Sequence, residues 1–282
     1  MNLYEINWMN FKKPRGTIYF LDKNVLQLIQ TLQEGKELTK SNEMEMEVRL
    51  KALDKPENIV SLMLSIIEGR KGRKETPEEK EKAILEEVSI LKDFFKQAKT
   101  DIDFFEKDVS SNAEILSGNH IELDEPLYIN YLEKFFELWK SYEENYAIPK
   151  TNRNELTDRL IEDAKTIGIQ LQHPVVVLTL GAVFGKAEAL QILKPKEANQ
   201  YNAYSDISIL TRLGNHKARF SKTHDCELLT LDKGLLSWFK IFTINESSLT
   251  ANEINGEKTS ITVTIDKNFL SEKIRGKLTS PL

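Results

Sequence analysis

TIYFLDKNVLQLI (residues 17–29) runs apolar from Ile18 to Leu21, reaches Asp22, and turns apolar again at Val25. Residues 17–21 are β-branched and aromatic and too few for a helix, which predicts a buried strand. A helix is expected from about Asn24 to Leu32. A carboxylate therefore stands where a buried strand hands over to a helix. Asp22 could cap that helix or hold a metal, and Asn24 offers an equal cap. A second stretch, LLTLDKGLLS (228–237), repeats the arrangement: a strand at 227–231, then Leu-Asp-Lys, then a helix start. In a parallel sheet, Asp22 and Asp232 both lie at carboxyl ends of strands, the edge where open α/β folds bind ligands.

The rest of the chain supports that reading. NIVSLMLSII (58–67) is a second apolar run and ends at Glu68. Thr76 opens a helix with Pro at its first position and Glu79 at its third, a capping box. Its apolar stripe falls at 84, 88, 91, 95 and 98. A second helix is expected from about Glu125 to Tyr146, with its stripe at Tyr128, Leu132, Phe135, Trp139, Tyr142 and Tyr146. The two suggest an antiparallel pair. Asn154 to Ile167 reads as a helix ended by Gly168. PVVVLTLGAVFGKAEALQIL (174–193) reads as a buried helix with glycines one turn apart. YNAYSDISILTRL (201–213) is a helix with Asp206 near its start, and 241–245 and 261–266 are strands. Strands alternating with helices predict an α/β fold with a mainly parallel sheet.

The chain has 282 residues, 40% hydrophobic and 29% charged, which suits a globular protein with a sizeable core. The net charge of −5 is unevenly spread. Residues 75–150 hold 19 Asp and Glu against 9 Lys and Arg, and the remainder is mildly basic. That block is expected to be an acidic helical insertion between a core of 1–74 and 151–282. One cysteine, Cys226, excludes an internal disulfide framework. With no secretory signal or long apolar run apparent, the cytoplasm is the expected setting and no membrane partner is expected.

Two carboxylates at one sheet edge repel unless a cation intervenes. Mg²⁺ or Mn²⁺ is the natural one, a hard ion that takes oxygen ligands, keeps waters and bridges to phosphate. At this point four stretches resemble, in order, the motifs of PIN-like nuclease domains. FLDKNVL looks like the opening strand motif, with Lys23 where the family usually has a hydroxyl residue. The run ending IIEGRKG is similar to the second motif and carries Glu68. NAYSDISIL looks like the third, with Asp206, and ELLTLDKGLL like the fourth, with Asp232. The resemblance covers roughly residues 15–70 and 155–245. It implies a three-layer Rossmann-like fold and Mg²⁺- or Mn²⁺-dependent cleavage of RNA, less often DNA. Asp22, Glu68, Asp206 and Asp232 would be the metal ligands, supported by Asn24 and Thr230, with Asp225 the alternate to Asp232.

Arg70, Lys71, Arg73 and Lys74 form one basic stretch that could grip phosphates, and Arg212, Lys217, Arg219 and Lys222 a second. Each carboxylate also has a plain reading as a cap or first-turn residue, and each basic run as a solvated loop. The resemblance implies the toxic or antiviral setting common among bacterial members of that family, with an antitoxin-like protein partner on the acidic helices, and self-association is left open. The rival class is a non-catalytic scaffold binding RNA or protein. A phosphatase of the haloacid dehalogenase kind ranks lower, since Asn24 stands where its second aspartate belongs. No G-x-x-x-x-G-K-[ST], H-E-x-x-H, G-x-S-x-G or C-x-x-C motif occurs, and the histidines at 120, 173, 216 and 224 lack metal-ligand spacing.

Overall fold

The computed structural model describes residues 16–69, 73–117, 124–142, 148–220, 222–252 and 256–278, with the backbone alone for 245–252 and 256–262. In chain order the elements are β1 (Thr17–Leu21), α1 (Lys23–Gln33), α2 (Ser41–Leu53), β2 (Ile59–Ser61), α3 (Met63–Glu68), α4 (Pro77–Leu91), β3 (Lys99–Thr100), α5 (Ile102–Lys107), α6 (Val109–Ser117), α7 (Glu125–Lys140), α8 (Arg153–Ile167), α9 (Pro174–Val183), α10 (Ala187–Leu193), α11 (Gln200–Phe220), β4 (Asp225–Leu229), α12 (Lys233–Ile241), β5 (Phe242–Asn252), β6 (Gly256–Ile265) and α13 (Glu272–Leu278). They divide into two compact units. Unit 1 comprises Met1–Ile121, Leu210–Asp232 and Glu246–Thr262, and unit 2 comprises Glu122–Ile209, Lys233–Asn245 and Val263–Leu282.

Unit 1 holds the α/β architecture expected from the opening stretch. Its sheet has the order β3-β2-β1-β4 and every neighbouring pair is parallel. β1 is one of the two inner strands: Ile18 pairs with Ile59 on one side and Cys226 on the other. Ile18, Phe20, Leu21, Ile59 and Val60 are buried, the near-continuous apolar run that a covered parallel strand requires. The Asp22 N–H continues the ladder onto the Leu229 carbonyl at 3.0 Å. α4 begins with the predicted capping box, Thr76 and Glu79 bonding reciprocally, and packs on α1, α3, α5 and α6. His216, on the unit 1 part of α11, lies 4.4 Å from the Phe20 ring and stacks on Phe220.

NIVSLMLSII is not one element. It forms β2 and then α3, with Leu62 between them. The break is held by Asp101, which follows β3: its carboxylate accepts from the Ser61 hydroxyl at 2.7 Å and the Leu62 N–H at 3.0 Å. β4 starts two residues earlier than expected, at Asp225, and ends at Leu229. Asp225 therefore pairs with Thr17 at the amino ends of the strands, away from the edge that carries Asp22.

Unit 2 is built around α9, buried along its length and flanked by α7, α8 and α10. Tyr131 of α7 bonds Thr179 of α9 at 3.0 Å inside this core. The expected single helix over 174–193 is two helices bent by 118°. Gly185 takes φ +73, a region L side chains avoid, and the Lys186 N–H returns to the Gly181 carbonyl. Gly181 itself lets Phe269 and Ala189 approach, since a Cβ there would lie 2.4 Å from the Phe269 ring. Among the described residues no single helix is long and apolar enough to cross a membrane. α8 ends on Gly168 in the left-handed region, as its sequence indicates. β5 and β6 form a separate two-stranded sheet. The division of the chain falls inside the 75–150 segment: α4 to α6 belong to unit 1 and α7 to unit 2, each packed on its own neighbours.

Two outcomes follow from unit 1. A Cβ at Gly16 would sit 1.6 Å from the Glu57 carbonyl oxygen, so Gly16→Ala should lower stability by about 3 kcal/mol in a urea titration, because backbone must move. Burial pushes His216 down to about 4, so it stays neutral in the folded chain while the unfolded chain binds a proton below about 6.5. Its contribution is present above pH 6.5 and is lost as pH falls toward 4. His173 acts in the same sense, whereas Asp101, pushed up to about 6 by burial, gains a proton on folding and acts oppositely. His216→Phe should flatten the fall in unfolding free energy between pH 6.5 and 4 by about 3 kcal/mol, measured by denaturation across that range.

Candidate functional site at the carboxyl edge of the sheet

The parallel register brings residues 22–24 and 230–232 together at the carboxyl ends of β1 and β4. Asp22 is buried, and it is the N-cap of α1, its Oδ1 accepting from the Lys23 N–H at 2.7 Å. The helix starts at Lys23, so Asn24 is inside it and is not the cap. Asn24 instead spans the two strand ends: its Nδ2 donates to Asp22 Oδ2 at 2.5 Å, and its Oδ1 accepts from the Leu231 N–H at 2.7 Å. The Thr230 hydroxyl donates to the same Asp22 oxygen at 2.5 Å and accepts from the Asp232 N–H at 2.9 Å. Capping and bracing are thus one network. Three of the roughly four acceptor positions of the Asp22 carboxylate are taken.

Lys23 and Glu68 open a second cluster, which the sequence reading did not assemble. The Lys23 ammonium donates to the Gly69 carbonyl just past α3 and stands 4.0 Å from Glu87. Burial holds this ammonium below the ordinary lysine value, opposed by Glu87, Glu68 and Glu75 in that order. Lys80 pairs with Glu75 at 2.6 Å, both side chains nearly inaccessible, and donates to the Ile66 carbonyl. Glu87 accepts from the Ser65 hydroxyl at 2.5 Å. Three carboxylates and two ammonium groups therefore share the joint of α1, α3 and α4. A signal for it exists in α4: residues 80, 84, 87 and 91, spaced 4-3-4, are all buried, so two charged residues occupy the helix's inner stripe. Asp101 is the other missed carboxylate, a buried residue at the end of β3 that serves the β2–α3 turn.

The remaining sequence-designated residues are spread more widely. Asp232 is half-buried just before α12. Asp206 belongs to unit 2, on the first part of α11, 3.7 Å from the Lys194 ammonium. Asp225 is exposed at the amino end of β4, which removes it as an alternate for Asp232: parallel pairing puts the two ends of the strand on opposite edges. Arg70 and Lys71 lie outside the described residues. Arg73 is exposed and bonds Glu79 at 2.9 Å, and Lys74 is half-buried. Arg212 is buried and presents no open surface to phosphate, while Lys217 and Arg219 are half-buried and Lys222 is exposed.

Among the described residues no three His, Cys, Asp or Glu side chains converge as a metal-holding group. Mg²⁺, however, is commonly held by one or two carboxylates plus water and substrate phosphate. Asp22 and Asp232, from adjacent strand ends and joined through Thr230, have the chemistry of such a pair.

The network's dependence on one hydroxyl is measurable. Thr230→Val keeps the shape but removes a donor to a buried carboxylate and an acceptor for the Asp232 N–H. Unfolding free energy should fall by about 2 kcal/mol at neutral pH, read by denaturant titration.

Comparison of the chain with protein-family models, with curated proteins and with solved structures finds no match.

Proposed function

We propose that the chain is a PIN-like nuclease that hydrolyses phosphodiester bonds, RNA being favoured over DNA. The observation that carries this reading is the placement of Asp22 and Asp232 at the carboxyl ends of adjacent parallel strands, braced by Asn24 and Thr230. The strand order β3-β2-β1-β4 and the Asp-x-Asn signature support it. Asp22 and Asp232 would hold the Mg²⁺ or Mn²⁺ ion, with Glu68 the further unit 1 carboxylate that the resemblance names. Such an ion supplies an activated water and compensates charge on the phosphate. The chain's own groups do the positioning. Asn24 and Thr230 fix the Asp22 carboxylate against rotation, and Asp22 holds the start of α1. Lys217, Arg219 and Lys222 provide positive charge on unit 1 for a nucleic-acid strand, with Arg73 and Lys74 a further source. A cytoplasmic toxin or defence effector, restrained by a basic partner on the acidic helices, belongs to the same proposal.

The rival reading, a PIN-like scaffold without catalysis, is favoured by one observation: a lysine already stands among the carboxylates at Glu68. A cleavage assay on structured RNA and single-stranded DNA, in Mg²⁺, Mn²⁺ or EDTA, separates the two. Wild type should cut RNA only with the metal. Asp232→Asn, which leaves the Asp22 brace in place, should cut at least about a hundredfold more slowly and melt as wild type does. Equal metal-dependent cutting by Asp232→Asn and wild type would remove Asp232 from the site, and no metal-dependent cutting by wild type would remove the nuclease assignment.

A further inference from the structure

Helix α2 is apolar on two faces. Met46, Leu50 and Leu53, spaced 4-3, form its buried face. Met44, Val48 and Ala52, spaced 4-4, lie on the opposite face and are exposed, Val48 by 67% and Met44 by 46%. Leu85, Leu127 and Leu236 are also exposed, but each stands alone on its helix, which needs no explanation. Charges flank the outer stripe of α2. Glu45 and Arg49 line one side of it, and Glu47 and Lys51 line the other. On each side a carboxylate precedes a cation by one turn. Arg49 pairs with Glu227 of β4 and Lys51 with Glu47, and all four side chains remain accessible.

This pattern complements itself in one orientation. Two α2 helices packed parallel would set the 45–49 side against the 47–51 side, carboxylate on carboxylate and cation on cation. Packed antiparallel about a two-fold at Val48, each side meets its own copy. Glu45 of one chain then meets Arg49 of the other, and Glu47 of one meets Lys51 of the other. Val48 meets Val48, and the long Met44 meets the small Ala52.

We infer that the outer face of α2 is a contact between two copies of this chain, an antiparallel, two-fold pairing of the helix with itself. The charges set its orientation, and the apolar stripe supplies most of its affinity. The helix is about 20 Å long, and one such face buries less than the roughly 800 Å² per partner of a standard interface. The dimer is therefore weak, dissociating at about 10–100 µM. The contact needs no metal and holds whether or not the chain cleaves nucleic acid.

Sedimentation equilibrium of the full chain from about 5 to 500 µM tests it. The average mass should climb from that of one chain toward that of two. Val48→Glu sets two carboxylates against each other at the two-fold and should weaken association at least about tenfold. Its position is exposed, so it should melt within about 2 °C of wild type. Glu47→Lys and Lys51→Glu should each weaken self-association, since like charges then meet across the two-fold. An equimolar mixture of those two variants should associate at least as tightly as wild type, because both contacts between them again join opposite charges. A wild-type chain that stays single up to about 500 µM overturns the inference. So does Val48→Glu that associates as wild type does, or a mixture no more associated than its separate variants.

Discussion

The carboxylate of Asp22 is the group on which the carboxyl edge of unit 1 depends. It caps α1 through the Lys23 N–H and accepts from two side chains, Asn24 on its own helix and Thr230 beyond β4. A buried carboxylate is costly unless its lone pairs are met, and here they are met by groups separated by more than two hundred residues. The bond network therefore locks the register of β1 on β4 and the start of α1 together. Removing any member would leave a charged, desolvated oxygen behind. That cost makes the arrangement specific, whatever chemistry it performs.

One turn away the chain meets a similar problem differently. At the α1–α3–α4 joint lysines, together with the Ser65 hydroxyl, meet the buried carboxylates. Lys23 connects the two solutions, because its N–H serves Asp22 while its ammonium serves Gly69 and the glutamates. A single residue position thus couples the bracing of the strand ends to the electrostatics of the helical joint.

Several local features of both units were legible in advance. The five-residue apolar run at 17–21, the Thr76 capping box and the Gly168 stop each rest on local forces: burial period, end satisfaction of a helix, and left-handed backbone. What was not legible depended on partners distant in sequence. NIVSLMLSII looked uniform because the reason for its break, Asp101, lies forty residues on. The helix at 174–193 bends at Gly185, and the sequence showed the glycine without showing the bend. Lys80 and Glu87 of α4, with Glu75 just before it, read as part of an acidic helical block, since composition cannot distinguish a solvated charge from one whose counter-ion is on another element.

The sequence by itself determined that Asp22 and Asp232 follow apolar strands and begin helices, because periodicity and capping act over a few residues. Only the tertiary structure decided which carboxylates share an edge. Parallel pairing placed Asp22 beside Thr230 and sent Asp225 to the opposite end, and the packing of α4 on α1 and α3 put a lysine among glutamates. Long-range contact, not residue type, sets whether a carboxylate is a brace, half of an ion pair or a ligand, since each role is defined by the charge and the donors that the fold brings within reach.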